Sequence, residues 1–190
     1  MRNQKFKRGF TLIEAVVMLA IITAISAQIL ISFSGLGGGV ALPRAARELA
    51  LALRQAQNMA LAVTVIPGTT TSAPVGLRLS TAAADAQSYM LFGDIFPDRQ
   101  YRTDTTPPDT TIPGWQRTFE RGVKIASLKD GSSVSYPMVH ILFAAPEAVL
   151  TITTQDGTLI TNDPFTIELR TSSGNKKSIV VRTTGQINIK

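Results

Sequence analysis

Residues 10–33 read FTLIEAVVMLAIITAISAQILISF, an apolar run whose only ionisable side chain is Glu14. A helix rising about 1.5 Å per residue needs roughly 20 such residues to cross a hydrocarbon core of about 30 Å, so this run is long enough to span. It is preceded by MRNQKFKRG, residues 1–9, which holds Arg2, Lys5, Lys7 and Arg8. Positive charge flanking a span keeps that end in the cytoplasm. The N-terminus is therefore expected inside, with everything after Phe33 on the other side.

The same four cations explain most of the basic character of the chain. The 190 residues carry 19 Lys and Arg against 13 Asp and Glu, a formal charge of +6. Without the four, fifteen basic residues face thirteen acidic ones, a net of +2. Nucleic acid is accordingly not expected as a partner. With no cysteine, no disulfide framework or thiolate metal site can form, and the length suits one modest domain plus an extra element rather than a large multidomain enzyme.

An ordinary cleaved signal peptide is the plain alternative for the N-terminus, and Ala24-Ile25-Ser26 offers a small-x-small cleavage site. Two features oppose it. The apolar run continues past that site to Phe33, and a carboxylate inside an apolar segment costs a few kcal/mol unless something pairs with it. Glu14 requires a partner.

Lys7-Arg8-Gly9-Phe10-Thr11-Leu12-Ile13-Glu14 resembles the class III signal of type IV pilins and type II secretion pseudopilins. The resemblance implies that a prepilin peptidase cuts between Gly9 and Phe10 and N-methylates Phe10. It also implies a partner for Glu14, the N-terminal amine of a neighbouring subunit, met in a helix bundle of low dielectric where opposite charges attract strongly. Such a pair would fix the axial register of one subunit on the next.

Beyond the run, Gly35 and Gly37–Gly39 each weaken a helix by about 1 kcal/mol relative to alanine. A break is expected over 35–42, either a flexible linker or a helix that extends locally, as resembles the segment that melts in filaments of this family. Pro43 suits the first turn of a new helix, expected over 43–65. Ala46, Leu49, Leu53, Ala56, Ala60 and Val63 recur at steps of three and four and form one apolar stripe, while Arg44 and Glu48 are spaced for a surface pair. Pro67-Gly68 then ends the helical region.

From residue 66 to 190 the pattern is that of antiparallel strands. Val75-Leu77-Leu79 and Phe165-Ile167-Leu169 alternate with polar neighbours. Further strands are expected at 88–92, 122–128, 138–143, 149–154, 178–182 and 186–189, with Asp130-Gly131, Asp156-Gly157 and Ser173-Gly174-Asn175 as turns. A long helix followed by such strands predicts an α+β fold in which the helix covers one sheet face, the pilin architecture. The Arg47-Glu48-Leu49 helix, Val75–Leu79 and Thr184–Ile187 resemble the GspH/FimT group of minor pseudopilins. The stretch from Phe96 to Gly122 has no counterpart in that group.

Other constellations point to less. Asp94, Asp98, Asp104 and Asp109 are spaced by four, six and five residues, unlike a calcium loop with ligands at alternating positions. A solvated surface loop is expected there, with no metal and no cofactor. His140 could join Asp130 and Ser132, Ser133 or Ser135 in a hydrolytic triad, but no G-x-S-x-G elbow surrounds those serines, and a strand histidine satisfied by a neighbour is expected instead. Trp115 is expected in a loop folded back on the head, and Lys176-Lys177 as a solvated hairpin tip.

The sequence thus predicts a non-enzymatic subunit of a type IV pilus or type II secretion filament, single-pass in the inner membrane before assembly. Its implied partners are prepilin peptidase, other pilin or pseudopilin subunits, the assembly platform protein and, through it, the assembly ATPase. A signal-anchored extracytoplasmic binding or enzymatic domain is the rival, and a DNA-uptake pilin the variant within the class.

Overall fold

The computed structural model of the chain describes residues 11–66 and 72–190. Within them the fold is α+β: a helix, α1 (Leu12–Leu61), followed by nine antiparallel strands in two sheets. The chain divides into two compact units, 1–39 and 40–190. The expected Pro67-Gly68 terminator lies outside the described residues.

The start of α1 follows from Thr11. Its hydroxyl accepts the Glu14 N–H at 3.3 Å and its carbonyl accepts the Ala15 N–H at 3.2 Å, so Thr11 is the N-cap and Glu14 sits three residues later, in the first turn. A carboxylate there also faces the positive end of the helix dipole.

The expected interruption over 35–42, with a fresh start at Pro43, is not what the backbone does. The helix runs without a break from Leu12 to Leu61 with Pro43 inside it. Glycine keeps its N–H and C=O, so it weakens a helix without removing a hydrogen bond. Proline removes one, and long helical stretches on both sides carry that cost because propagation is far easier than nucleation. The helix also stops short of Val63, which turns out of it with φ of 49°.

In the unit 40–190, five of the six predicted stripe residues are fully or almost fully buried, Ala46, Leu49, Leu53, Ala56 and Ala60; Val63, beyond the helix end, is exposed. They share one core with the inward residues of both sheets. A fully buried leucine contributes on the order of 2 kcal/mol to that core. The predicted Arg44–Glu48 pair does not form: Arg44 reaches Glu120 at 3.3 Å, and Glu48 accepts the Tyr89 hydroxyl at 3.3 Å. Tertiary partners outcompete a neighbour four residues away, whose attraction is only a few tenths of a kcal/mol. Tyr89→Phe is expected to cost about 1 kcal/mol, read as a lowered melting midpoint of the full chain.

The first sheet has the order β3-β2-β1-β5-β6, built from β1 (Val75–Ser80), β2 (Ser88–Gly93), β3 (Thr110–Thr118), β5 (Met138–Ala144) and β6 (Val149–Thr154). The second has the order β4-β7-β8-β9, from β4 (Lys124–Lys129), β7 (Phe165–Arg170), β8 (Lys176–Val181) and β9 (Ile187–Ile189). Eight of the nine strands lie where the alternation placed them. The ninth, β3, was hidden because Pro113 and Gly114 interrupt its pattern. As an edge strand it has no outer neighbour needing the missing proline N–H, and Gly114, with φ of 80°, lies where the pairing with β2 shifts register. Trp115 is therefore in a strand, not a loop, and is half-buried against the core.

Asp130 holds the β4–β5 turn. Its oxygens accept the Ser132 and Val134 N–H groups, the Tyr136 hydroxyl and the Asn162 amide at 2.9–3.0 Å. These bonds, the Asn162 one foremost, hold its carboxyl below the ordinary range, and they leave it committed to the turn rather than to a triad. Lys176 is likewise engaged: it stands opposite Arg170 in the β7–β8 ladder and reaches diagonally to Glu168, at 3.0 Å, a neighbour within reach of a long side chain on the same face.

The first sheet also has a second, outward apolar face. Phe92 and Leu142 are buried there, and Gly76 lets the Phe92 ring lie across β1: a Cβ on Gly76 would come within 2.5–2.6 Å of it. This face is covered by the connection 94–109 between β2 and β3, which is irregular throughout. Tyr101 from it packs edge-on to Phe92 at 5.3 Å, and its Arg99 carbonyl accepts the Thr153 hydroxyl at 2.6 Å.

Candidate functional site

Two places concentrate features that folding alone does not explain: the exposed apolar half of α1 and the base of the 94–109 connection.

Leu12–Leu30 is long and apolar enough to cross a membrane, and none of it is buried among the described residues. A core helix of a soluble domain would have the same composition but would be covered. Here Leu12 is 84% exposed and Leu30 71% exposed, an apolar surface left uncovered among the described residues. Glu14, the predicted assembly residue, sits at the first turn of this surface, and no cation pairs with its carboxylate among the described residues. Gly9 and Phe10, the predicted cleavage and methylation positions, lie outside the described residues. No family model, no curated protein and no solved structure matches this chain.

The second place corrects the expectation of a solvated acidic loop. Asp94 and Asp109 are 2% and 5% exposed, and one oxygen from each of Asp94, Asp98 and Asp109 lies within 4.8 Å of the other two. Asp94 follows β2 directly and Asp109 precedes β3 directly, so two ends of the connection meet at its base. Asp109 closes it: Oδ1 accepts the Ile95 and Phe96 N–H groups at 2.8 and 3.2 Å, and Oδ2 accepts the Arg102 N–H at 2.8 Å. Asp104 does not join them. It takes two short bonds from the Arg102 guanidinium at 3.1 and 2.8 Å.

The electrostatics of this base are unbalanced. Burial, reinforced by the neighbouring Asp109, pushes the Asp94 carboxyl up to about 7, and burial raises Asp109 as well. Among the described residues the only cation in range is Arg102, 3.7 Å from Asp98 and already engaged by Asp104.

Beside this base lies His140, on the outward face of β5. Register places it between Arg78 of β1 and Thr153 of β6, with the Phe92 ring edge-on at 5.7 Å. The expectation of a satisfied strand histidine fails: it is 2% exposed and neither ring nitrogen has a hydrogen-bond partner. The Thr154 backbone favours the charged ring, without hydrogen-bonding geometry, and burial overrides it, pushing the imidazole down to about 4. The ring is thus buried and held in its neutral form.

Proposed function

We propose that this chain is a pilin-like structural subunit, most similar to the GspH/FimT minor pseudopilins, held in the inner membrane by Leu12–Leu30 and then drawn into a type IV pilus or type II secretion filament. The observation that carries the reading is Glu14, a lone carboxylate in the first turn of a helix whose apolar segment Leu12–Leu30 is not buried among the described residues. Buried among lipid or helices, such a charge is costly unless compensated, and a neighbouring subunit's free N-terminal amine is a compensating charge that only a processed, assembled chain provides.

On this reading the protein is not an enzyme. Prepilin peptidase cleaves the Gly9–Phe10 bond and methylates Phe10, other pilin or pseudopilin subunits surround the helix, and the platform protein with its ATPase supplies the work of extraction. The strand-rich unit lies outside the cytoplasm and faces outward from the filament.

The intact mass of the mature protein tests this. A chain that starts at N-methylated Phe10 is expected. A mature chain starting at unmodified Ala27, or one that keeps residues 1–9 in cells with an active prepilin peptidase, overturns it.

A further inference from the structure

Among the described residues, Asp94, Asp98 and Asp109 form a cluster that hydrogen bonding leaves incomplete. Asp94, 98% buried, has one oxygen taken by the Arg99 N–H at 3.2 Å, while its Oδ1 has no partner. Asp98 has Oδ1 taken by the Gln100 N–H at 3.1 Å, while its buried Oδ2 has none, the Arg102 guanidinium standing off at 3.7 Å. Buried polar atoms are nearly always satisfied, and a buried carboxylate oxygen without a donor is among the most expensive exceptions. Asp94 and Asp98 thus each carry one buried oxygen without a donor, and one carboxylate oxygen of each of the three aspartates lies within 4.8 Å of the other two, an arrangement that a bound cation would satisfy.

The geometry specifies what fits. A calcium ion sits about 2.4 Å from each oxygen ligand, so two of its ligands are at most roughly 4.8 Å apart, and the three carboxylates meet that limit. Fully ionised, the three carry −3, and the nearest cation among the described residues, Arg102, makes its two shortest contacts with Asp104. A divalent cation offsets more of that charge than a monovalent one does. Ligands that are all carboxylate oxygens select a hard ion over a thiophilic one.

We propose that Asp94, Asp98 and Asp109 bind one divalent hard cation, of the calcium class, which clamps the two ends of the 94–109 connection together over the outward face of the first sheet. The ion joins the residue after β2 to the residue before β3, so it closes the loop that shields Phe92, Leu142 and His140. Its effect is on order in this connection rather than on the helix-bearing core. The inference does not depend on the filament reading and stands or falls separately from it.

The test uses the full-length protein in detergent micelles, stripped with EDTA and titrated calorimetrically with calcium chloride and, in parallel, magnesium chloride. The wild-type chain is expected to bind one calcium per chain, with hydrogen exchange of amides 95–108 slowed on saturation. Asp98→Asn, at the most accessible ligand, is expected to weaken binding roughly tenfold or more. Arg102→Ala removes the competing cation without touching a ligand and is expected to tighten it. Absence of saturable binding of either ion up to millimolar concentration overturns the proposal. So does calcium binding that is unchanged in Asp98→Asn, or weakened in Arg102→Ala.

Discussion

Glu14→Ala is expected to be processed normally and to remain in the membrane, with the amount recovered in filaments falling at least about a hundredfold. On the proposed function, cleavage at Gly9–Phe10, four residues upstream, does not use the carboxylate, whereas assembly does. Removing one member of a buried ion pair strands the other, at a cost of about 3–5 kcal/mol, and each 1.4 kcal/mol is a factor of ten in an equilibrium. The structure supplies a competing role that must be separated, because Thr11 caps α1 and Glu14 occupies the position where an acid or amide completes such a cap. Glu14→Gln resolves this. Glutamine can serve the cap but carries no charge, so it should fail in assembly as the alanine variant does. Filament yield restored by glutamine would make Glu14 a capping residue, and wild-type yield with alanine would remove it from assembly altogether.

Acidification is expected to destabilise the strand-rich unit through His140 by up to about 3 kcal/mol. The sign follows from the depressed value: the imidazole titrates near 4 in the folded protein, against an ordinary 6.5, so the unfolded chain binds the proton first. Stability is complete above about pH 6.5 and declines as the pH falls towards 4, at 1.36 kcal/mol per unit of difference. The groups facing the ring set this balance. Burial dominates, Arg78 on β1 opposes the charge, and Asp98 from the covering connection favours it slightly. Denaturant unfolding of the wild-type chain and of His140→Leu between pH 7 and 4, both in chelator, isolates the contribution. Leucine has no proton to take up, so the two stability curves should diverge by this amount on acidification. Parallel curves would show that His140 is accommodated when charged.

These two residues also show how unevenly the sequence disclosed the molecule. Glu14 was conspicuous because its surroundings are its sequence neighbours: twenty-four residues with one charge, read directly as a helix that needs outside cover. The strands were legible for the same reason, since alternation at Val75-Leu77-Leu79 and Phe165-Ile167-Leu169 is a local imprint of one buried face. His140 was misjudged because its partners, or lack of them, come from β1, β6 and the covering connection, none of them near it in the chain. The outward apolar face of the first sheet left only a faint signal, Phe92 and Leu142 at positions that a one-sided sheet would make polar.

The amino-acid sequence by itself determined an apolar segment long enough to cross a membrane with one carboxylate in it, a helical stripe and eight of the nine strands, because each is a pattern that a few neighbouring residues must satisfy together. Tertiary structure alone decided that α1 passes through its glycines and Pro43, that the strands sort into two sheets, and that Asp94, Asp98 and Asp109 meet. Asp94 and Asp109 are fifteen residues apart, and spacing along the chain measures only its contour. Their convergence is set by β2 and β3 pairing side by side, which brings the two ends of one connection to the same point in space.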